Sequence, residues 1–151
     1  MSTEVMEFEC TTCHRMFSSV VFDLSREYDR VIYHRPSALD EVAVADAEGI
    51  ASFCSQDCRA RGTAAVMVEQ QVPIPAERPG IEPVESCAKC GGDVDMSEWH
   101  LTFVEAEADF SGFGVELANV EYLAVVCRRC APRAKATMAS ASSEVAAADI
   151  Q

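Results

Sequence analysis

Phe53-Cys54-Ser55-Gln56-Asp57-Cys58-Arg59 is the stretch that decides the fold of this chain. Its two cysteines are four residues apart, which suits two ligands one turn apart where a helix starts. Ser55 stands at a natural N-cap position, and Asp57 is favourably placed in the first turn. The stretch therefore predicts a helix that runs to about Met67 and is weakened by Gly62.

Six further cysteines complete a set of four close pairs. The other three pairs are CxxC turns, in which two thiolates converge on one ion, and two pairs complete a tetrahedral four-sulfur site. The predicted metal ligands are Cys10, Cys13, Cys54, Cys58, Cys87, Cys90, Cys127 and Cys130. Eight ligands predict two metal sites, with zinc as the expected ion in each. The spacing leaves open a crossed pairing, in which the first pair shares its ion with the third or fourth pair.

The first residues of the chain do not have the pattern of a signal peptide, and no stretch approaches the apolar length of a membrane span. We therefore expect a cytoplasmic protein with reduced thiols, in which cysteine pairs indicate metal binding rather than structural disulfides. Redox-active CxxC pairs are less favoured, because thioredoxin-like chemistry calls for one such pair within a βαβ pattern.

The net charge of −13 limits the classes of partner. Nucleic-acid binding proteins usually show a basic stripe, and none is visible here. Lys89 and Lys135 are the two lysines, against ten arginines. This acidic, lysine-poor composition resembles the proteins of halophilic archaea, so the charge also fits adaptation to high salt.

Prolines divide the chain. Four of the six lie within residues 70–86, which predicts a semi-rigid linker between two small metal-stabilised units, residues 1–69 and 87–134. We expect each unit to fold around its own metal, so that loss of one site leaves the other unit folded. Residues 135–151 form an Ala/Ser-rich tail, expected to extend a helix or to be disordered.

Strand-prone runs surround the cysteines in both units. In the first, residues 42–45 and 50–53 read as a hairpin around a turn at 46–49. In the second, residues 99–110 and 115–126 read as two long strands, with Phe113 between two glycines at the tip, where a partner can reach it. Pro132 is suited to the first turn of a following helix.

Family resemblance refines this reading. The stretch 53–59, preceded by Cys10-Thr11-Thr12-Cys13, resembles the FCS/MYM-type and TRASH-like zinc fingers, which end in an aromatic-Cys-Ser-x-x-Cys-Arg pattern. That resemblance implies one zinc site made of Cys10, Cys13, Cys54 and Cys58. Residues 87–134 resemble the small CxxCG-type zinc fingers of haloarchaea through Cys87-Ala88-Lys89-Cys90-Gly91 and Cys127-Arg128-Arg129-Cys130. The fold class expected from both is a small α+β protein with two tandem treble-clef-like zinc fingers, each a knuckle, a β-hairpin and a helix.

Catalytic residues are not predicted, because no Ser/His/Asp grouping, phosphate loop or dinucleotide motif is present and four thiolates close the coordination of zinc. We therefore expect a non-enzymatic adaptor or regulator that binds another protein, with no membrane partner; the sequence does not set the oligomeric state. The alternative is a nucleic-acid-binding transcriptional regulator that uses arginines near the post-cysteine helices. Its contacts are expected to be Arg59, Arg61, Arg128, Arg129 and Arg133. His14 is a further, less favoured ligand.

Overall fold

The computed structural model describes residues 6–131 except 19, 35–38, 111 and 113. The predictions for the 135–151 tail, for a helix at Pro132, for Arg133 and for Phe113 lie outside the described residues. The described part is a small α+β fold with eight strands, one helix and two clusters of cysteines. The elements are β1 (Phe8–Glu9), β2 (Met16–Phe17), β3 (Val21–Ile32), β4 (Glu41–Phe53), α1 (Gln56–Glu69), β5 (Val84–Ser86), β6 (Asp93–Asp95), β7 (His100–Asp109) and β8 (Glu116–Val126).

One antiparallel sheet joins the two halves of the chain, with strand order β4-β3-β7-β8. β3 from the first half pairs with β7 from the second, from Val21 opposite Ala108 to Asp29 opposite His100. This differs from the expected tandem units, each built on its own hairpin. The physical reason is that a lone two-stranded hairpin is marginally stable and leaves an unpaired edge, which the other hairpin satisfies here.

The hydrophobic core is also shared between the halves. Leu24, Phe53 and Met67 from the first half belong to the same cluster of buried side chains as Phe103 and Leu123 from the second. All five are nearly inaccessible to solvent. Because burial of apolar surface is the main favourable term in folding, each half depends on the other for much of its stability.

The predicted hairpin at residues 42–53 is wrong, because β4 runs without a turn through that whole segment and pairs with β3. The turn-like residues 46–49 lie between two register shifts, at Leu24/Ser25 and at Tyr28/Asp29 of β3. Such shifts mark β-bulges, which insert one extra residue and bend the strand. Gly49 and its polar neighbours therefore belong to a bent edge strand.

The helix is where the sequence predicted it. α1 spans Gln56–Glu69, and the Ser55 side chain accepts a hydrogen bond from the Cys58 backbone N–H (3.1 Å). The sequence predicted that Gly62 weakens the helix, but its role in the structure is to allow close packing against α1. A Cβ at Gly62 would lie 2.4 Å from Thr12 Oγ1 and 2.5 Å from a Phe53 ring carbon. Glycine is needed there because α1 packs directly on the first cysteine turn.

The proline-rich segment is packed against the sheet over part of its length. Tyr33 donates hydrogen bonds to the backbone carbonyls of Ile81 (2.9 Å) and Glu82 (2.8 Å). Val72 is buried, and β5 at the end of the segment pairs with β6. Among the described residues, no helix combines the length and the hydropathy needed to cross a bilayer.

Candidate metal centres

The eight cysteines gather into two groups of four. Cys10, Cys13, Cys54 and Cys58 form site 1, and Cys87, Cys90, Cys127 and Cys130 form site 2; within each site all four sulfurs lie within 4.8 Å of one another. The pairs therefore combine sequentially along the chain, which excludes the crossed pairing that spacing left open. All eight are free cysteines. Each tetrad is positioned to bind a metal ion.

The distances between sulfurs match the edges of a metal tetrahedron. Cys13 Sγ lies 3.7 Å from Cys54 Sγ, and Cys54 Sγ lies 3.8 Å from Cys58 Sγ. In site 2 the Cys90 and Cys127 sulfurs are 3.8 Å apart. An ion at about 2.3 Å from four sulfurs gives a tetrahedron with edges of about 3.8 Å, whereas a disulfide needs about 2.05 Å. These distances fit a metal ion coordinated by four thiolates.

Site 1 begins with a knuckle, a tight turn that joins β1 to β2. The turn is closed by hydrogen bonds from the His14 N–H to the Cys10 carbonyl (2.8 Å) and from the Cys10 N–H to the Arg15 carbonyl (2.9 Å). His14 adopts a positive φ of 63°, a conformation uncommon outside glycine. It is exposed and stands outside the four-sulfur group, so its role in the described structure is to shape the turn.

Two contacts fix this knuckle to the rest of the fold. The Thr11 N–H donates to the Ser52 carbonyl of β4 (2.8 Å), and the Thr12 hydroxyl donates to the Cys58 carbonyl of α1 (2.7 Å). Hydrogen bonds therefore connect the knuckle both to the end of β4 and to the first turn of α1. Cys54 and Cys58 are placed by the strand end and the capped helix start, as the sequence predicted.

Site 2 repeats the knuckle without a helix among the described residues. The Gly91 N–H donates to the Cys87 carbonyl and the Cys87 N–H to the Gly92 carbonyl, both at 2.8 Å. Gly91 has a φ of +74°, a conformation that glycine adopts without steric cost. The Ala88 N–H donates to the Val125 carbonyl (2.8 Å), which joins the turn to β8.

Backbone N–H groups point at the sulfurs and prepare them for a cation. Burial opposes ionisation of Cys10, but N–H groups of Cys13, Cys54 and Thr12 outweigh it and lower the pKa of Cys10 to about 6. At Cys87 burial is again opposed and outweighed, by N–H groups of Cys127, Cys90 and Lys89, and its pKa falls to about 6. One thiolate per site is therefore favoured before any metal arrives.

The remaining thiols show the cost of placing four sulfurs together. Burial, followed by hydrogen bonds with the neighbouring cysteines, raises the pKa of Cys54 to about 11. Hydrogen bonds with Cys127 and Cys90, followed by burial, raise the pKa of Cys130 to about 12. Four thiolates in contact repel one another, so a divalent cation is what stabilises the fully deprotonated tetrad.

The arginines of α1 are paired with acids. Arg59 is buried, lies 3.0 Å from a Glu105 oxygen and donates to the Ala106 carbonyl (3.1 Å). Arg61 is exposed and lies 3.2 Å from Asp57 on the same helix. Arg128 and Arg129 are exposed beside site 2. Arg59 therefore joins α1 to β7 and is not presented to a groove.

One buried polar cluster was not predicted from the sequence. Asp29 on β3 accepts a hydrogen bond from Thr102 (2.7 Å) and lies 3.4 Å from His100 Nε2. Burial, followed by the charge of Glu27, raises the pKa of Asp29 to about 8, and burial lowers the pKa of His100. The sequence carries no signal for this cluster, because Asp29 on β3 and His100 on β7 come together only once the two halves pair.

No protein-family model, curated protein or solved structure matches this chain. Its description therefore rests on its own geometry: two four-cysteine groups consistent with zinc-finger-like units, carried by antiparallel sheets and one helix.

Proposed function

We propose that this protein binds two zinc ions in structural four-cysteine sites and acts as a protein-interaction adaptor or regulator. The observation that carries the proposal is the gathering of eight cysteines into two tetrads with tetrahedral sulfur spacing. Thiolate-only, tetrahedral coordination is typical of structural zinc sites, and iron is the chief rival ion for such a set. Metal then supplies folding free energy, since the ligand arrangement exists only in the folded chain.

A non-catalytic role for the metal follows from the ligand count. Four thiolates fill the tetrahedral shell, so no position is open for a water or a substrate. A hydrolytic zinc has three protein ligands and an open fourth position. We therefore assign the ions to structure and not to chemistry.

The plan of site 1 supports a treble-clef assignment for the first half. The order along the chain is a knuckle between β1 and β2, a hairpin of β3 and β4, and α1 with Cys58 in its first turn. This is the order found in treble-clef zinc fingers, which the sequence resembles. For the second half, the position at which the corresponding helix is expected lies outside the described residues.

A protein partner is supported by the exposed edge of the sheet. β8 is an edge strand, and its first half carries exposed apolar side chains: Leu117 is 64% exposed and Val120 is 49% exposed. An unpaired strand edge with apolar side chains is a template for an added strand from another protein. The pairing of Arg59 and Arg61 with acids weighs against the nucleic-acid alternative.

Metal content tests the structural part of this proposal. Protein purified without added metal is expected to contain two zinc ions per chain by elemental analysis, and cobalt substitution is expected to give the intense sulfur-to-cobalt absorption of four-thiolate coordination. Iron, or oxidised thiols without metal, contradicts the proposal.

A pair of variants tests whether the partner is a protein or a nucleic acid. Leu117→Lys places a charge on the β8 edge, and Leu39→Lys places the same charge at an exposed position before β4. We expect Leu117→Lys to abolish capture of a protein partner and Leu39→Lys to leave it unchanged. In a gel-shift assay, we expect the wild-type protein not to shift duplex DNA or RNA. Nucleic-acid binding that survives Leu117→Lys supports the alternative.

A further inference from the structure

The two tetrads differ in how far solvent reaches their sulfurs. Each site has one exposed ligand, and site 1 has two buried ones: Cys10 and Cys58 are buried, Cys54 is half-buried and Cys13 is exposed. In site 2, Cys87 is the one buried ligand; Cys90 is exposed, and Cys127 and Cys130 are half-buried. Replacement of a thiolate on zinc requires an incoming donor to reach the ion, so exposure of the ligands decides which site reacts.

The contacts that hold the two tetrads in place also differ, and site 1 is again more firmly enclosed than site 2. Site 1 is held by two hydrogen bonds from its knuckle, one from the Thr11 N–H to the Ser52 carbonyl of β4 and one from the Thr12 hydroxyl to the Cys58 carbonyl of α1. Gly62 brings the helix into direct contact with that knuckle, so opening site 1 disturbs the core. In site 2, the Cys90 sulfur accepts a hydrogen bond from the Gly92 N–H (3.4 Å), a contact within the ligand turn. Opening site 2 at Cys90 therefore disturbs a local turn.

A cavity of about 190 Å³ opens beside the exposed ligands of site 2. Its walls include Cys90 and Cys127, and it is also lined by Asp93, Asp95, Glu98 and His100. The three acidic side chains carry carboxylate oxygens, a donor type that binds zinc more weakly than four thiolates do. The volume is several times that of a water molecule, so a small chelating group from another molecule fits next to the sulfurs.

We propose that site 2 is an exchangeable zinc site, which releases its ion to an incoming chelating ligand with nitrogen and oxygen donors through the cavity beside Cys90 and Cys127, while site 1 retains its ion. The inference rests on the proposed function, since it requires zinc in both tetrads. With zinc bound, release would be a series of ligand substitutions that starts at Cys90 and continues at the other three cysteines, and in each a donor atom of the incoming group would bond to zinc as one zinc–sulfur bond breaks. The released thiolate keeps its electron pair and takes a proton from water, and nothing is oxidised or reduced.

Release kinetics on the wild-type protein test the inference. An excess of 4-(2-pyridylazo)resorcinol is added to the two-zinc protein, and the coloured zinc complex is followed in time. We expect two phases of one equivalent each, with rate constants that differ by at least about tenfold. Amide NMR spectra recorded after the fast phase are expected to show changes at Val94, on β6 beside site 2, and none at Val66 on α1.

A matched pair of variants tests the route through the cavity. Asp93→Trp places a large side chain at the cavity wall, and Asp46→Trp places the same side chain on exposed β4, away from both tetrads. We expect Asp93→Trp to slow the fast phase by about threefold or more and Asp46→Trp to leave it unchanged.

The outcomes separate the two proposals. Two zinc ions released in one phase, or a fast phase that changes Val66 and not Val94, overturns the exchangeable site and leaves the zinc assignment standing. Fewer than two zinc ions at the start overturns the zinc assignment itself.

Discussion

Site 1 and site 2 use the same four ligands in different surroundings. Site 1 lies where a knuckle, the end of β4 and the start of α1 meet, and two of its cysteines are buried. Site 2 lies at the ends of β6 and β8 with one buried cysteine and a cavity at its side. Ligand identity sets which ion binds, whereas the packing around the ligands sets how firmly the site is held.

Replacing one cysteine ligand in site 1 is expected to destabilise the protein far more than replacing one in site 2. Cys58→Ser is expected to lower the free energy of unfolding by more than about 5 kcal/mol, because structural zinc supplies about 10–16 kcal/mol in zinc-finger peptides. Since β3 and β7 are paired, the loss includes β7 and β8 as well as the first half. Hydrogen exchange at Leu101 and Leu123, read by NMR, is expected to lose its protection.

Cys130→Ser is the matched change in site 2. We expect it to release one zinc ion and to open the β5–β6 hairpin, while the protection of Leu24 and Leu101 persists. Persistent protection of β7 and β8 in Cys58→Ser contradicts the shared-sheet account and restores the expectation of two separate units.

Breaking the ion pair between Arg59 on α1 and Glu105 on β7 is expected to have the next largest effect on stability. Arg59→Ala removes one of the two guanidinium groups beside the buried Glu105 carboxylate, and Arg78 remains 2.7 Å from it. We therefore expect a loss of about 2–3 kcal/mol, less than the cost of about 3–5 kcal/mol for a buried charge left without any partner. Arg61→Ala removes an exposed partner of Asp57, and such pairs contribute less than about 1 kcal/mol. Urea unfolding of the two variants measures the difference. Similar values for both variants contradict a structural role for Arg59.

Gly62→Ala tests the contact between α1 and the site 1 knuckle. In an unconstrained helix this change stabilises by about 1 kcal/mol. Here the new methyl group meets Thr12 and Phe53, so we expect destabilisation of about 1–3 kcal/mol. The control is Ala65→Gly at an exposed helix position, expected to destabilise by about 1 kcal/mol. Thermal unfolding gives both values, and a stabilised Gly62→Ala protein contradicts the close approach.

The smallest expected effect concerns pH and the strand pair that unites the halves. The pKa of Asp29 is about 8 in the folded state, against about 3.9 when unfolded. Between these values the folded state holds a proton that the unfolded state lacks, so stability falls as pH rises, by up to about 1.4 kcal/mol per pH unit. His100, with its pKa lowered by burial, acts oppositely below about pH 6.5, because there the unfolded state takes up the proton.

Asp29→Asn is therefore compared with the wild type between pH 6.5 and 7.5, so that the contributions shared by both proteins, including those of Cys10 and Cys87, cancel in the difference. Glu27, His100 and Thr102 face the carboxyl group, and all three are retained in this variant. We expect the slope of unfolding free energy against pH to be more positive in Asp29→Asn than in the wild type. Equal slopes in the two proteins contradict the proton on Asp29.

Local features of the fold were predictable from the sequence. Cysteine spacing identified the eight clustered residues, and the Ser55 cap with Asp57 in the first turn located the start of α1. These succeeded because capping and ligand spacing act over a few residues, where sequence and geometry are directly connected. The two long strands of the second half were also found, since alternation of apolar residues is a local signal.

Long-range features were not predictable in the same way. Pairing of β3 with β7 joins residues about 80 positions apart, and no local pattern specifies it. The prolines of residues 70–86 suggested separation, but a stiff segment also serves to return the chain to a shared sheet. Gly62 was read as a weak helix residue because its contact with Thr12 is invisible until the helix is packed.

Zinc titration of the reduced, metal-free protein tests the central claim, that one sheet unites the two halves and site 1 holds it. Amide NMR signals of Leu24 on β3 and Leu123 on β8 are followed as zinc is added. We predict that both sets of signals appear together during the first equivalent, and that Val94 beside site 2 responds during the second. Folding of Leu24 and Leu123 at separate equivalents contradicts the account.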